Sequence, residues 1–179
     1  MGGSVYAHSG NNRDKSDWQT LADHEAGVAE RAALSGAQFG LAKSAELTGR
    51  LHDFGKNDPA FQRRLSGDTL RVDHSTAGAH LVIGRGGSRD RLAAEILAYA
   101  ILGHHAGLPD AVGDEAAMDR RLERFATANP IAPAWADAVT VDLAAVVAEI
   151  RGRIGRDTPQ FDLSVAGRMV FSCLVDADF

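Results

Sequence analysis

A His-Asp pair closes an apolar helical segment in residues 49–57, which read Gly49-Arg50-Leu51-His52-Asp53-Phe54-Gly55-Lys56-Asn57. The spacing of apolar residues predicts a helix from about Leu41 to Asp53, which Gly55 and the following Asp58-Pro59 break. Neighbouring residues on a helix point about 100° apart, so they can serve one ion only where the helix ends or unwinds. The pair lies at such an end, and it is therefore a candidate for metal binding.

A second pair, His104-His105, lies in the same kind of position, after a strongly apolar helical segment and before Gly107 and Pro109. Imidazole nitrogen and carboxylate oxygen are ligands that manganese, iron, nickel, cobalt or zinc accept. A carboxylate that bridges two ions suits a two-metal centre that acts on phosphodiesters. For each pair alone, surface or helix-capping histidines are the favoured alternative. Both pairs together with His24 and Asp176 favour a metal site.

In the rest of the chain the spacing of apolar residues is typical of helices nearly throughout, and no segment shows the sustained alternation of apolar and polar residues that is typical of strands. Ser16 or Asp17 is expected to cap the first helix, and Pro130 and Pro133 to separate two late ones. A chain of 179 residues has the size of one domain. We therefore predict an all-α fold, with one domain over residues 1–179 and a metal centre between its helices. The predicted helices cover about 18–37, 41–53, 59–65, 74–83, 90–104, 115–126, 138–154 and 159 to the last residue.

The composition is that of an ordinary soluble domain, with 45% hydrophobic and 24% charged residues. With 19 basic and 24 acidic residues the formal net charge is −5, which argues against a basic nucleic-acid clamp. The negative charge does not exclude a metal-dependent enzyme, because bound divalent cations reverse the sign of the local electrostatic field. Cys173 is the single cysteine, so no intramolecular disulfide can form. The sequence shows neither a signal peptide nor a stretch of membrane-span length, and we expect a soluble cytoplasmic protein.

Two other chemistries find no support in the sequence. Residues 49–57 look like a phosphate-binding loop, but five residues instead of four separate Gly49 and Gly55, and Asn57 stands where Ser or Thr would bind magnesium. Cys173 lies in an apolar helical segment without a neighbouring base, and no serine nucleophile elbow is present. Covalent catalysis is therefore not indicated.

Six motifs follow one another in a specific order. They are Tyr6-Ala7-His8-Ser9, Trp18 to His24, Leu51 to Lys56 with Phe61-Gln62, Asp73 to Ala79, Gly103 to Leu108, and Leu174 to Asp178. Over roughly Tyr6 to Phe179 this order closely resembles the HD nuclease domain of the CRISPR-associated nuclease-helicase of type I systems. Six ordered motifs are specific, whereas a lone His-Asp pair would not be.

The resemblance implies ligands for two divalent ions, expected to be manganese, nickel, cobalt, iron or magnesium. By position, one ion is expected at His24, His52, Asp53 and Asp176, and the other at the shared Asp53 with His74, His104 and His105. Asp53 and Lys56 are the expected catalytic residues, because Lys56 matches the family's lysine beside the site, where its charge could stabilise phosphate oxygens. His8 and His80 fall outside this ligand set, His8 as a packing or substrate-side residue and His80 at the surface or behind the ligands.

The resemblance further implies a metal-dependent endo- or exonuclease that hydrolyses phosphodiester bonds of single-stranded DNA in CRISPR interference, an antiviral defence of prokaryotes. The family's full-length members continue into a helicase with ATP-binding motifs, which this sequence lacks, so residues 1–179 are expected to be the nuclease part alone. The helicase part and the crRNA-guided surveillance complex (Cascade) are the expected partners, with no membrane. Two alternatives stay open: an HD phosphohydrolase acting on nucleotides or cyclic nucleotides, and a non-catalytic assembly module.

Overall fold

The computed structural model describes residues 4–128 and 131–179. Within them lie nine α-helices, a 3-10 helix over Phe54–Asn57, and a sheet of two antiparallel strands, β1 (Tyr6–His8) and β2 (Gln19–Thr20). The all-α prediction is confirmed. In this part of the chain no helix is long and apolar enough to cross a membrane. The helices are α1 (Leu21–Ala37), α2 (Ala42–Leu51), α3 (Pro59–Leu65), α4 (Ser75–Arg85), α5 (Arg91–Gly103), α6 (Met118–Ala128), α7 (Pro133–Ala138), α8 (Leu143–Arg151) and α9 (Pro159–Asp178).

The start of α1 differs from the sequence prediction. Thr20 caps the helix in place of Ser16 or Asp17, because its Oγ1 accepts a hydrogen bond from the backbone N–H of Asp23 at 3.1 Å. Residues 19–20, expected to be helical, form β2 and pair with β1. Strands of two and three residues are too short to show an alternating pattern, and the sequence therefore gave no sign of them.

Helix α5 forms the centre of the main hydrophobic core. Its residues Leu97, Ile101 and Leu102 are fully buried against apolar residues of α4, α8 and α9. Helices α1 and α2 pack on each other, and α9 packs on both. Removal of this apolar surface from water is the main stabilising force, and it fixes the ends of α2, α5 and α9 relative to one another. The candidate site is built at those ends.

Between α5 and α9 the helices differ from the prediction, because α6 begins and ends later than residues 115–126 and α8 is shorter than residues 138–154. Asp142 explains the late start of α8, because its side chain accepts hydrogen bonds from two backbone N–H groups of the first turn. The sequence did not predict α7, which begins at Pro133, where the missing N–H of proline costs nothing. Pro130, expected to break the chain here, lies outside the described residues.

Two glycines allow the segments that carry the site to approach closely. A Cβ atom on Gly55 would lie 2.1 Å from the carbonyl oxygen of His74, and one on Gly78 would lie 1.9 Å from that of Leu51. Any side chain at either position would push α4 away from the end of α2. These glycines therefore keep His74 beside the His52-Asp53 pair.

Candidate metal centre

Seven side chains of metal-ligand type converge where α1, α2, α4, α5 and α9 meet. Each of these helices, or the residues directly beside its end, supplies one residue or one adjacent pair, so the set exists only in the folded chain. Three overlapping groups among the described residues have donor atoms within 4.8 Å of one another: Asp53 with His74, His104 and His105; His24 with His52 and Asp53; and His52 with His104 and Asp178.

One side of the centre joins two imidazoles to two carboxylates. Nε2 of His24 lies 3.0 Å from Oδ2 of Asp53 and 3.3 Å from Oδ1 of Asp178. Nε2 of His52 lies 3.3 Å from each of the same two oxygens. We call these four residues the first donor group. Its mixed nitrogen and oxygen donors suit a divalent transition metal.

Backbone carbonyls orient two of the histidines. Nδ1 of His52 donates a hydrogen bond to the carbonyl oxygen of Gly49 at 2.7 Å, and Nδ1 of His104 donates to that of Ile101 at 2.6 Å. Because a carbonyl only accepts, Nδ1 carries the hydrogen, and in the neutral ring the lone pair of Nε2 points into the cluster. Histidines that bind metals are commonly held in this way.

The other side of the centre contains two buried donor atoms for which the described residues offer no hydrogen-bond partner, Oδ1 of Asp53 and Nε2 of His104. These atoms lie 3.8 Å apart. Nε2 of His74 lies 3.6 Å from the same Oδ1 and 2.9 Å from Nε2 of His105. We call Asp53, His74, His104 and His105 the second donor group. A buried polar atom without a partner lowers the stability of the fold by roughly 1–3 kcal/mol. A divalent ion would give Oδ1 of Asp53 and Nε2 of His104 a partner, so the residues present fit a metal ion.

The carboxylates and imidazoles set each other's protonation. Burial would lower the pKa of His52, but hydrogen bonds with Asp178 and Asp53 raise it to about 10. Burial lowers the pKa of His104 to about 3, and the charge of His52 adds to this effect. Burial also opposes ionisation of Asp53 and Asp178, yet hydrogen bonds with His24 and His52 hold the pKa of both carboxyls well below the usual range. At neutral pH His52 is therefore a cation and His104 a neutral donor.

Lys56 is buried against the centre. Its Nζ donates to Oδ2 of Asp53 at 2.6 Å and to the carbonyl oxygen of Ala7 at 3.3 Å. The sequence led us to expect a cation beside the phosphate, whereas the structure places the ammonium on the Asp53 carboxylate, which it orients and neutralises. Gln62 supports this arrangement, because its Nε2 donates to the carbonyl oxygens of Lys56 and Tyr6 and so joins the 3-10 helix to β1.

Asp178, and not Asp176, is the α9 residue that reaches the centre. Asp176 is exposed and belongs to none of the donor groups found in residues 4–128 and 131–179. Positions 176 and 178 point about 200° apart on a helix, so only one of them can face α1 and α2. The expectation that Asp176 joins the ligand set is therefore corrected to Asp178. The sequence held a signal for it, because Asp178 follows the fully buried Leu174 by four residues and lies on the same side of α9.

The two remaining histidines, His8 and His80, lie outside the donor groups of the described residues. His8 is exposed at the edge of the site, and its ring meets that of His24 edge-on with centroids 4.8 Å apart. His80 is half-buried on α4 and packs against Phe125 of α6, with ring centroids 5.1 Å apart. Neither side chain completes the set of ligands.

A comparison with protein families matches residues 7–176 to the family model described as "Cas3, HD domain". A comparison with curated proteins finds no significant match. The family match confirms the resemblance that the six sequence motifs suggested, and the His and Asp clusters agree with the divalent-metal binding that an HD domain implies. The chain belongs to the Cas3 HD domain family, and it is accordingly a metal-dependent hydrolase of CRISPR systems, of the HD nuclease or phosphohydrolase type.

Proposed function

We propose that this domain is a metal-dependent nuclease that cleaves phosphodiester bonds of single-stranded DNA in CRISPR interference. The observation that carries the proposal is the position of Asp53 between the two donor groups. Its Oδ2 faces His24 and His52, and its Oδ1 faces the second donor group. A carboxylate placed in this way can bridge two ions about 3.5–4 Å apart, the spacing of two-metal centres that act on phosphate esters.

The ligands that we propose divide between two ions. The first donor group, His24, His52, Asp53 and Asp178, would hold one ion, and the second, Asp53, His74, His104 and His105, would hold the other. When bound, such ions activate the attacking water and neutralise charge on the phosphate. Five of the proposed ligands are imidazoles, which favours manganese, nickel, cobalt or iron, with magnesium a further candidate, over calcium, whose preference for oxygen is strong.

Asp53 and Lys56 contribute in different ways. Asp53 fixes the two donor groups relative to each other, because it is the one residue that both contain. Lys56 acts through Asp53: its ammonium lies 2.6 Å from Oδ2 and only 6% of its side chain is exposed. We therefore propose Lys56 as a positioning residue that holds the bridging carboxylate, in place of the direct contact with phosphate expected from the sequence.

The charge of the protein bears on how the substrate arrives. The net charge is −5, and the open cleft beside His105 carries the acids Asp110, Asp114 and Glu115 as well as Arg121 and Arg124. Contacts of Lys and Arg with phosphates dominate DNA affinity, so this domain alone should bind DNA weakly. We propose that residues 1–179 act as one nuclease domain in the cytoplasm, and that the CRISPR helicase part and Cascade deliver the strand.

Product analysis on three substrates tests this function. The purified domain with Mn²⁺ is offered a single-stranded oligonucleotide, the same sequence as a blunt duplex, and a panel of deoxynucleotides and cyclic nucleotides. We expect cleavage of the single strand and little of the duplex, because the purified residues 1–179 include no motifs of a strand-separating motor. Hydrolysis of the nucleotides alone would indicate an HD phosphohydrolase instead. Equal rates on single strand and duplex would contradict the proposed substrate, and a protein that binds no metal would favour an assembly module.

A further inference from the structure

The second donor group draws its histidines from two separate segments. His74 lies directly before α4, whereas His104 and His105 follow the end of α5. Their ring nitrogens must meet one ion with distances that vary by only about 0.2 Å. The relative position of the two segments therefore has to be fixed by groups outside the donor set.

Arg121 of α6 touches both segments. Its Nη1 donates to the carbonyl oxygen of Leu102 at 3.0 Å, two residues before His104. Its Nη2 lies 2.7 Å from Oγ of Ser75 and 3.0 Å from Oγ1 of Thr76, in the first turn of α4. The side chain is only 15% exposed, so water competes little for these contacts. One guanidinium thus bridges the end of α5 and the beginning of α4.

Asp73 links Arg121 to the neighbouring His74. Both carboxylate oxygens of Asp73 lie 3.3 Å from Nη2 of Arg121. The same carboxylate accepts hydrogen bonds from the backbone N–H groups of Ser75 and Thr76, and so caps the start of α4. His74 stands between Asp73 and this first turn, so its backbone is held on both sides.

On the α5 side, Arg121 binds one of the four final carbonyl groups of the helix, which have no partner within the helix. The carbonyl of Leu102 lies next to that of Ile101, which orients the ring of His104. A planar guanidinium presents its donors in a rigid fork and can serve two segments at once. An ammonium is a single point charge and cannot bridge them in the same way.

We propose that Arg121 is a positioning residue that sets the geometry of the second donor group by tying the Asp73-His74 segment to the end of α5. The inference rests on the proposed function, because it requires a divalent ion at that group. Loss of residues that orient metal ligands typically costs 10–100-fold in metal affinity. Removal of Arg121 should therefore weaken the binding of an ion at the second donor group and leave binding at the first donor group unaffected.

Mn²⁺ binding to metal-free protein, measured by titration calorimetry, tests this in two backgrounds. His24→Gln disables the first donor group, so binding reports on the second; His74→Gln with His105→Gln disables the second, so binding reports on the first. Arg121→Met should lower the Mn²⁺ affinity about 10–100-fold in the His24→Gln background. It should change the affinity less than about twofold in the background that carries His74→Gln and His105→Gln. Arg121→Lys, a milder change, should also weaken binding in the first background only, because it keeps the charge but loses the fork.

Arg120→Met is the matched control, because Arg120 is exposed on the same helix and pairs with Glu123. It should leave Mn²⁺ affinity unchanged in both backgrounds, and circular dichroism in EDTA checks the fold of every variant. If Arg121→Met does not fold, Arg121→Lys decides the matter. Unchanged affinity in the His24→Gln background, or an equal loss in both backgrounds, overturns the inference while the proposed function stands. A wild-type domain that neither binds two ions nor cleaves DNA overturns both.

Discussion

Oδ1 of Asp178 lies 3.3 Å from Nε2 of His52, and this contact brings the last turn of α9 into the metal centre. The same oxygen lies 3.3 Å from Nε2 of His24. Because α9 packs on both α1 and α2, the fold carries a carboxylate from the far end of the chain to a site built mainly in its first half. Asp178 is therefore a candidate ligand, whereas Asp176, two residues earlier on the same helix, is exposed.

The pair Asp178 and Asp176 provides a prediction with its own control. Asp178→Asn should lower metal affinity and single-strand cleavage at least about 10-fold, because losing a ligand costs no less than losing a group that orients one. Asp176→Asn removes the same charge from the same turn and should change neither by more than about twofold, as expected for an exposed position. Cleavage rates and Mn²⁺ titrations on both variants check this. A larger effect of Asp176→Asn would restore the assignment made from the sequence.

Asp53→Ala should be more damaging than His74→Ala, although both are proposed ligands. Loss of Asp53 removes the carboxylate that both donor groups share, so both ions should be lost; His74 serves one group, and water can partly replace it. Because ligands act as a unit, the effects should not add in the double variant. Metal stoichiometry and cleavage measure this, and circular dichroism should show both variants folded. Two bound ions and near-normal cleavage in Asp53→Ala would refute the bridging role.

The raised pKa of His52 predicts that metal binding releases a proton. With a pKa of about 10, this imidazole is cationic at pH 7, and it must lose about one proton before Nε2 can bind a metal. As the pH rises from 6 to 9 fewer protons compete, so Mn²⁺ affinity should increase. Calorimetry at pH 7 in buffers of different ionisation enthalpy counts the released protons. Affinity that is independent of pH over this range would contradict the prediction.

The raised pKa of Glu25 predicts that the stability of the fold depends on pH, and that a neutral residue at this position stabilises the protein at high pH. Glu25 neighbours His24 on α1, its Oε1 is buried without a partner among the described residues, and burial raises its pKa to about 8 against the opposing charge of His52. A folded-state pKa above the unfolded value favours the folded state below about pH 4.5, and this contribution is lost as the pH rises through 8.

Glu25→Gln should therefore raise the free energy of unfolding at pH 8.5 by about 1 kcal/mol or more, and have a much smaller effect at pH 4.5. Denaturant unfolding in EDTA at the two pH values measures the difference. Glu30→Gln, at an exposed position of the same helix, should show no such pH dependence. An equal effect of Glu25→Gln at both pH values would contradict the account.

Most of the helices could be predicted because they bury an apolar stripe. The two pairs at helix ends and the family resemblance led us to expect a ligand set, and six of the seven side chains that meet at the candidate centre belong to it. The two short strands, α7 and the cap of α1 could not be predicted, since each depends on pairing or capping contacts that leave no periodic pattern. Asp176 and Asp178 are both acidic residues near the end of an apolar helix. Only the register of the buried stripe through Val170, Leu174 and Ala177 separates them.

The ion pair between Arg121 and Asp73 could not be predicted from the sequence for a different reason. The two residues lie on separate elements, and an arginine on an amphipathic helix is most often solvated. Burial of its guanidinium between α4 and the end of α5 is a tertiary property. The burial of Lys56 against Asp53 could not be foreseen for the same reason, although both belong to one motif.

The most direct test of the central claim is a titration of Mn²⁺ into EDTA-stripped, desalted protein, with bound metal and single-strand cleavage followed together. The account predicts no cleavage in EDTA, and a rate that rises until two ions are bound per chain and then stays constant. Calcium should not restore the activity. Cleavage in EDTA, or full activity with one ion bound, would contradict a centre in which Asp53 joins two ions.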